Sequence, residues 1–296
     1  MTKERTGLPT AGTLYVVATP IGNLSDLSPR AAATLKDCDL IAAEDTRHTG
    51  ILLKHFQIGT PQLSLHDHNE STRAAEIIAL LREGKSVALV SDAGTPAISD
   101  PGFELVRAVA ATGMNVVAIP GPCAAIAALS IGALPTDRFC FEGFLPARGA
   151  ARRQRLKSLQ AEPRTLVIYE SPHRVRETLE DCLTAFGETR AATVVREATK
   201  LHETTYRGSL RELLDKSSTD ADFSRGEIVL VIGGAAQADN ADSDSEAKSR
   251  LDKVLIALLA ELPLKQAARL AAQITGARDN EAYKRALLLK EQSASH

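Results

Sequence analysis

Tryptophan is absent from this chain, methionine occurs twice and aromatic residues make up only 4%. With so few large rings, Ala, Val, Ile and Leu must fill the interior, which favours helices packed on parallel strands. An excess of either charge is also missing. Formal net charge is -2, so the chain as a whole carries no sign of a nucleic-acid partner, and any such contact must come from local patches. Cysteines are few and scattered: Cys38, Cys123, Cys140 and Cys182, with no C-x-x-C pair. That pattern fits neither a zinc site nor a disulfide framework, and a reducing cytoplasm is the expected compartment. The stretch Met1–Gly12 is polar and lacks the apolar centre of a signal peptide. One uncharged run, Val116–Leu134, reaches membrane-spanning length, but Pro120-Gly121-Pro122 interrupts it. A buried strand, a tight turn and an Ala-rich helix are expected there. Two nucleotide signatures are missing as well. Gly22-Asn23-Leu24-Ser25-Asp26 follows the first strand in place of G-x-G-x-x-G, and there is no Walker A motif. A Rossmann dehydrogenase and a P-loop kinase are therefore disfavoured.

What the chain does have, over 296 residues, is alternation. Strands are predicted at Thr13–Ala18, Leu40–Ala43, Ser86–Val90 and Asn115–Ile119, with helices between them. Ser28-Pro29, Ser71, Asp100-Pro101 and Pro122 mark helix starts, and Gly84 and Gly113 mark stops. This implies a mostly parallel sheet covered on both faces. A second α/β block carries strands at Arg138–Phe144, Thr165–Tyr169, Ala192–Arg196 and Ile228–Ile232. Val175, Leu179, Leu183 and Phe186 lie at helical spacing between them. The expected fold class is α/β. An N-terminal α/β domain covers 12–130, a C-terminal α/β domain 131–234, a Gly/Ala/Asp/Ser-rich linker 235–249 and a helical tail 250–296. In the tail, Leu251, Val254, Leu255, Leu258 and Leu259 share one face, and Leu264, Ala268, Ala271 and Ile274 another; Gly276 precedes a third helix, Ala282–Leu289. Either a helix-turn-helix or a plain three-helix packing unit satisfies this pattern.

Three strand ends carry glycine-proline loops: Thr19-Pro20-Ile21-Gly22, Ser91-Asp92-Ala93-Gly94-Thr95-Pro96 and Pro120-Gly121-Pro122. Ligands of open α/β sheets bind beyond the carboxyl ends of strands, and three such loops together point to one crevice. Polar clusters follow other strands: Glu44-Asp45-Thr46-Arg47-His48, Tyr169–Arg174 and Arg196–Glu203. His66–Glu70 offers metal-ligand residue types without an H-E-x-x-H pattern, and no metal is expected. Arg148, Arg152, Arg153, Arg155 and Lys157 form a run without acids. It can grip a phosphate backbone or simply be a solvated helix start.

The loops and clusters together resemble the tetrapyrrole methylase superfamily. The resemblance is carried by Gly12–Leu24, Ala43–Thr49, Ser91–Gly102 and Tyr169–Arg174, and it runs continuously to about Gly234. The tail is similar to a helix-turn-helix-like extension found in one branch of that superfamily. That branch methylates the ribose 2′-hydroxyl of a cytidine in the decoding region of small-subunit rRNA. The resemblance therefore implies S-adenosylmethionine held in a cleft between two α/β domains, small-subunit rRNA as partner, and a homodimer. By motif, Pro20, Asp92, Ala93, Gly94, Pro96, Cys123, Ala124, Tyr169 and Ala198 fall at cofactor-contacting positions. Ala18 stands where glycine is expected and Cys123 where serine is; both are small, so fine contacts are affected more than the site.

A ribose hydroxyl needs alignment behind the methyl carbon, which can supply ~7–11 kcal/mol, and a base for its proton, worth ~10²–10⁴-fold. Glu44, Asp45, His68, Glu197 and Lys200 are the candidates, whether as base or as groups that position RNA. The rivals are a methylase of porphyrin-like molecules, disfavoured by the basic run and the tail, and a non-catalytic binding protein, disfavoured by the intact Asp92–Pro96 loop.

Overall fold

The computed structural model describes residues 12–66, 68–235 and 240–294. The polar N-terminal stretch up to residue 11, Asp67 within the His66–Glu70 run, and residues 236–239 of the expected linker lie outside the described residues. The chain divides into two compact units, Met1–Ala235 and Ala236–His296.

The first unit opens with β1 (Thr13–Val17), α1 (Pro29–Asp37), β2 (Leu40–Ala43), α2 (Thr46–His55), β3 (Gln62–Ser64), α3 (Glu70–Arg82), β4 (Val87–Val90), α4 (Phe103–Ala111), β5 (Asn115–Ile119) and α5 (Ala124–Ile131). The strands form one five-stranded sheet in the order β3-β2-β4-β1-β5, and every pair is parallel. Apolar side chains point both ways. Tyr15, Val17, Ile41 and Val90 pack with Leu35 and Leu53, while Leu14, Ala42, Val87 and Leu89 pack with Ile77, Leu105 and Val109. That is the two-sided burial expected of a parallel sheet under helices.

Several helix signals act as read. Ser28 caps α1 by accepting the Ala31 N–H at 3.0 Å, with Pro29 in the first turn. Gly84 and Gly113 follow α3 and α4 at φ +83° and +75°, where other residues would be strained. Two signals do not. α3 starts one residue before Ser71, after Asn69. α4 is capped by Gly102 rather than by Asp100, with no side-chain hydrogen bond at the cap. Val116–Leu134 is a strand, a turn and a helix, and among the described residues no helix is long and apolar enough to cross a membrane.

The unit continues with β6 (Phe139–Phe144), α6 (Gly149–Ser158), β7 (Thr165–Glu170), α7 (Val175–Phe186), β8 (Ala191–Arg196), β9 (Thr204–Ser209), α8 (Leu210–Thr219) and β10 (Ile228–Ile232). This sheet runs β6-β7-β10-β8-β9 and is mixed. Only β6 and β7 are parallel; β10 is antiparallel to both neighbours, and β9 to β8. One face packs on α6, α7 and α8 through Leu156, Leu179 and Leu213. The other face, Val167, Val195, Val229 and Val231, is covered by Ala125, Ala128 and Leu129 of α5. Thr193 and Arg207 also donate to the carbonyls of Gly132 and Ile131 at the end of that helix, at 2.7 and 2.6 Å. A boundary at 130/131 therefore assigns α5 to the wrong sheet: the helix follows the first sheet in sequence but is core to the second.

The second unit holds α9 (Asn240–Leu259), α10 (Leu264–Thr275) and α11 (Asp279–Ala294). Helix begins at Asn240, well inside the segment read as linker from 235 to 249. Leu251 and Leu255 pack with Ala268, Ala271, Ala272, Ala282 and Ala286. Arg285 forks onto Asp252, both contacts at 2.6 Å. Gly276, at φ +76° in the left-handed region, ends α10. Ile274, expected on the packed face, is 55% exposed.

Candidate active site

The carboxyl ends of β1 and β4 are tied together by a two-residue bridge. The Thr19 N–H donates to Gly94 O at 2.8 Å, and the Gly94 N–H donates back at 3.1 Å. Gly94 holds φ +85°, and a Cβ there would lie 3.3 Å from Ile21 Cγ2. This bridge forms one wall of a cleft of about 330 Å³. Ile21, Ala93–Thr95 and Ile98–Asp100 line that wall, with Cys123 and Ala124 at the start of α5; Phe144, Tyr169–Pro172 and Gly226–Ile228 line the other. Tyr169 is fixed on three sides. Its hydroxyl accepts the Ala125 N–H at 3.1 Å, and Phe141 and Phe144 meet its ring edge-on at 4.9 and 5.6 Å. Burial, reinforced by the nearby Cys123 thiol, pushes the phenol well above its ordinary range.

Five of the expected cofactor residues line this cleft: Ala93, Gly94, Cys123, Ala124 and Tyr169. Pro20 and Asp92 instead line a neighbouring cavity of about 250 Å³, with Ser91, His48, Leu24 and Ile51. Pro96 is buried, and Ala198 packs against the cluster beneath α5. Neither lines the cleft.

The proton-transfer candidates scatter. Asp45 is clamped by Arg47 at 2.6 and 3.1 Å, which holds its carboxyl well below the usual range. Burial would raise Glu197, but the Glu227 N–H at 2.8 Å and Lys200 at 3.0 Å outweigh it and hold that carboxyl low. Burial would likewise lower Lys200, yet its pairs with Glu197 and Glu227 keep it high. Both are fixed in their charged forms and brace the cleft lip at Glu227. His68 is exposed in the turn before α3 and does not line the cleft. Glu44 receives the Asp92 N–H at 3.3 Å.

The basic run is not a uniform patch. Arg152 is buried, donating to Asp181 at 2.7 Å and Glu177 at 3.3 Å. Arg155 pairs with Glu142 at 2.7 Å. The run has no acids of its own, but α7 and β6 supply them. Arg152 is thus committed to the interior, while Arg148, Arg153, Arg155 and Lys157 lie on the surface, Arg153 within 3.6 Å of Asp181.

Two groups of lining residues carry no clear signal in sequence. Ile98-Ser99-Asp100 lie within the Ser91–Gly102 motif, where Asp100-Pro101 reads as a helix start. Gly226 and Glu227 precede β10, at the amino end of a strand, where ligands of a parallel sheet do not bind. Because β10 is reversed, its first residue, Ile228, pairs with Glu170 at the end of β7, and its amino end therefore opens onto the cleft.

Comparison with known proteins adds sequence and fold. The family described as Tetrapyrrole (Corrin/Porphyrin) Methylases matches residues 13–214, and the RsmI C-terminal HTH domain matches 244–290. The chain is 51% identical to a ribosomal RNA small subunit methyltransferase I of Escherichia coli O157:H7 over 277 residues, covering 93% of this chain and 95% of that one. It is 53% identical to the protein of that name from Pseudomonas aeruginosa, covering 94% and 97%. A solved uroporphyrin-III C-methyltransferase from Thermus thermophilus, complexed with S-adenosylhomocysteine, shares the fold. Its TM-score is 0.52 at 17% identity, covering 77% of this chain and 99% of that one.

Proposed function

The chain belongs to the tetrapyrrole methylase family, and within it to the ribosomal RNA small subunit methyltransferase I group; from that membership we propose that it moves a methyl group from S-adenosylmethionine to the ribose 2′-hydroxyl of a cytidine in small-subunit rRNA. The observation that carries the cofactor is the make-up of the cleft. Among the described residues its lining is mostly small and apolar and holds no Lys, Arg or His. Such a wall disfavours polyphosphate and leaves room for a ligand without phosphates. Gly94 leaves backbone room beside the ligand, and Phe144, 57% exposed at the cleft, offers a ring face for a purine.

When bound, S-adenosylmethionine supplies an electrophilic methyl carbon. The protein's share is placement. The Thr19–Gly94 bridge fixes one wall, Tyr169 holds the start of α5, and the Lys200–Glu197–Glu227 network holds the lip. The cavity lined by Pro20, Asp92, Leu24 and Ile51 adjoins this wall and is open to an acceptor. Cytoplasmic ribosomal subunits are the setting of this reading, and the homodimer is carried by the family resemblance alone.

The direct test is transfer of labelled methyl to isolated small ribosomal subunits, with the label recovered as 2′-O-methylcytidine. Label recovered on a base, or transferred only to porphyrin-like acceptors, would refute the assignment. The surface cations give a further expectation. Replacing Arg148, Arg153 and Lys157 together with Gln should weaken RNA binding and reduce its log–log salt slope by about 2–3, at roughly 0.7–0.9 per lost phosphate contact. Cofactor affinity should not change, since none of the three lines the cleft. Titrations at several salt concentrations with an unaltered slope would leave the segment without a role in RNA binding.

A further inference from the structure

We propose that Asp100 takes the proton of the acceptor hydroxyl during methyl transfer. The inference rests on the methyltransferase reading above. Its first support is the task this carboxylate does not perform. An Asp-Pro pair before a helix ordinarily puts Asp at the cap, yet α4 begins at Phe103 behind Gly102, and no side chain caps it. The carboxylate lines the cleft instead. It lies near Ser91, which lines the adjoining cavity. Asp100 therefore stands where the two cavities approach each other, the place a donor and an acceptor must share.

The second support is the loop that carries it. Ala97 and Ser99 are held at φ +67° and +64°, and the Ala97 N–H closes the loop onto Pro101 O at 3.3 Å. Left-handed non-glycine residues cost on the order of 1–3 kcal/mol each and persist where the surroundings over-determine them. Here the opposite wall contributes: a Cβ on Gly143 would come within 2.9 Å of Ser99 Oγ, so the two surfaces meet closely beside Asp100.

The third support is electrostatic. Glu44 at the end of β2, Asp92 beyond β4 and the Tyr169 phenol on β7 lie near enough to Asp100 to act on its charge, and among the described residues no cation pairs with it. Burial raises the carboxyl; the Ser91 hydroxyl offsets part of this, and Glu44 and Asp92 add to it, leaving it at about 6. Such a group is ionised at neutral pH and is more basic than an ordinary aspartate. Asp45, Glu197 and Lys200 are each locked with an opposite charge. In the step itself, a bond forms between the ribose O2′ and the methyl carbon as the carbon–sulfur bond breaks. The hydroxyl proton passes to Asp100 and then to solvent.

The test combines Asp100→Asn with calorimetry and a pH–rate profile on small ribosomal subunits. Affinity for S-adenosylmethionine should stay within about threefold of wild type, while turnover at neutral pH falls by ~10²–10⁴-fold. The wild-type rate should drop about tenfold per pH unit below about 6, since the base is then protonated, and the variant should lose this acid limb. Asp100→Glu should restore part of the rate. Turnover of the Asn variant within a few-fold of wild type would overturn the proposal. So would a loss of cofactor affinity that accounts for the whole loss of rate, because Asp100 would then be a binding group. A wild-type enzyme that binds cofactor but methylates no ribose would overturn the underlying reading, and this proposal with it.

Discussion

Gly94→Val is expected to weaken binding of S-adenosylmethionine sharply while leaving a folded chain. Gly94 sits at φ +85° inside the Thr19–Gly94 bridge, and even a single Cβ would press on Ile21 at 3.3 Å. A branched residue adds backbone strain of about 1–3 kcal/mol and crowding of about 1–3 kcal/mol. The loop can relieve both only by moving into the cleft or by giving up its two bridging hydrogen bonds. At 1.4 kcal/mol per decade, affinity should fall by at least ~30-fold. Gly94→Ala should lie between, because it takes on the same backbone strain but adds no carbons beyond the one at the 3.3 Å contact. Calorimetry on a cooperatively unfolding Gly94→Val protein decides the matter: wild-type affinity would show that the cofactor does not use this wall.

Arg152→Met should be the most damaging change in the basic run, and its effect should fall on stability rather than on RNA. The guanidinium is 3% exposed and held by Asp181 and Glu177. Burial would lower it, but the two carboxylates outweigh burial and keep it charged. Removing it leaves Asp181, only 12% exposed, without its main partner. Breaking a buried pair from one side costs about 3–5 kcal/mol. Arg153 remains 3.6 Å from Asp181, which argues for the lower figure. At about 2–4 °C per kcal/mol for a unit of this size, the melting temperature should fall by ~6–12 °C. Adding Asp181→Asn should recover much of the loss, a coupling that a double-mutant cycle measures. A melting temperature within about 2 °C of wild type would show the pair to be dispensable.

The contrast between these two positions indicates what the sequence could and could not reveal. Gly94 was legible because one residue type and one strand end carried the signal. Arg152 was not, because its acids come from α7, and a one-dimensional charge run says nothing about partners folded in from elsewhere. The same limit explains β3 and β9. Both are edge strands, half-buried at most positions, so neither shows the apolar run that betrayed β4 or β10. It also explains α5, whose uniformly apolar surface gives no clue to which sheet it covers. Asp100 was visible but assigned to a cap; only the backbone shows that the helix begins later and frees the carboxylate.

The place of β10 bears on how the molecule is made. It is the last strand of its sheet in sequence but lies between β7 and β8. During synthesis, β6–β7 and β8–β9 emerge first as two separate ribbons, each with an unpaired edge exposed to other chains. Neither can join the other until Ile228–Ile232 arrives, so this half of the unit must wait on its longest-range pairings, the slow and aggregation-prone kind. The all-parallel sheet also waits on a late strand, since β4 must come between β1 and β2, but β5 completes it before any of the second sheet exists. A nascent chain stalled just short of Ile228 would hold one finished sheet and two open ones, the state in which this protein is most exposed to misassembly.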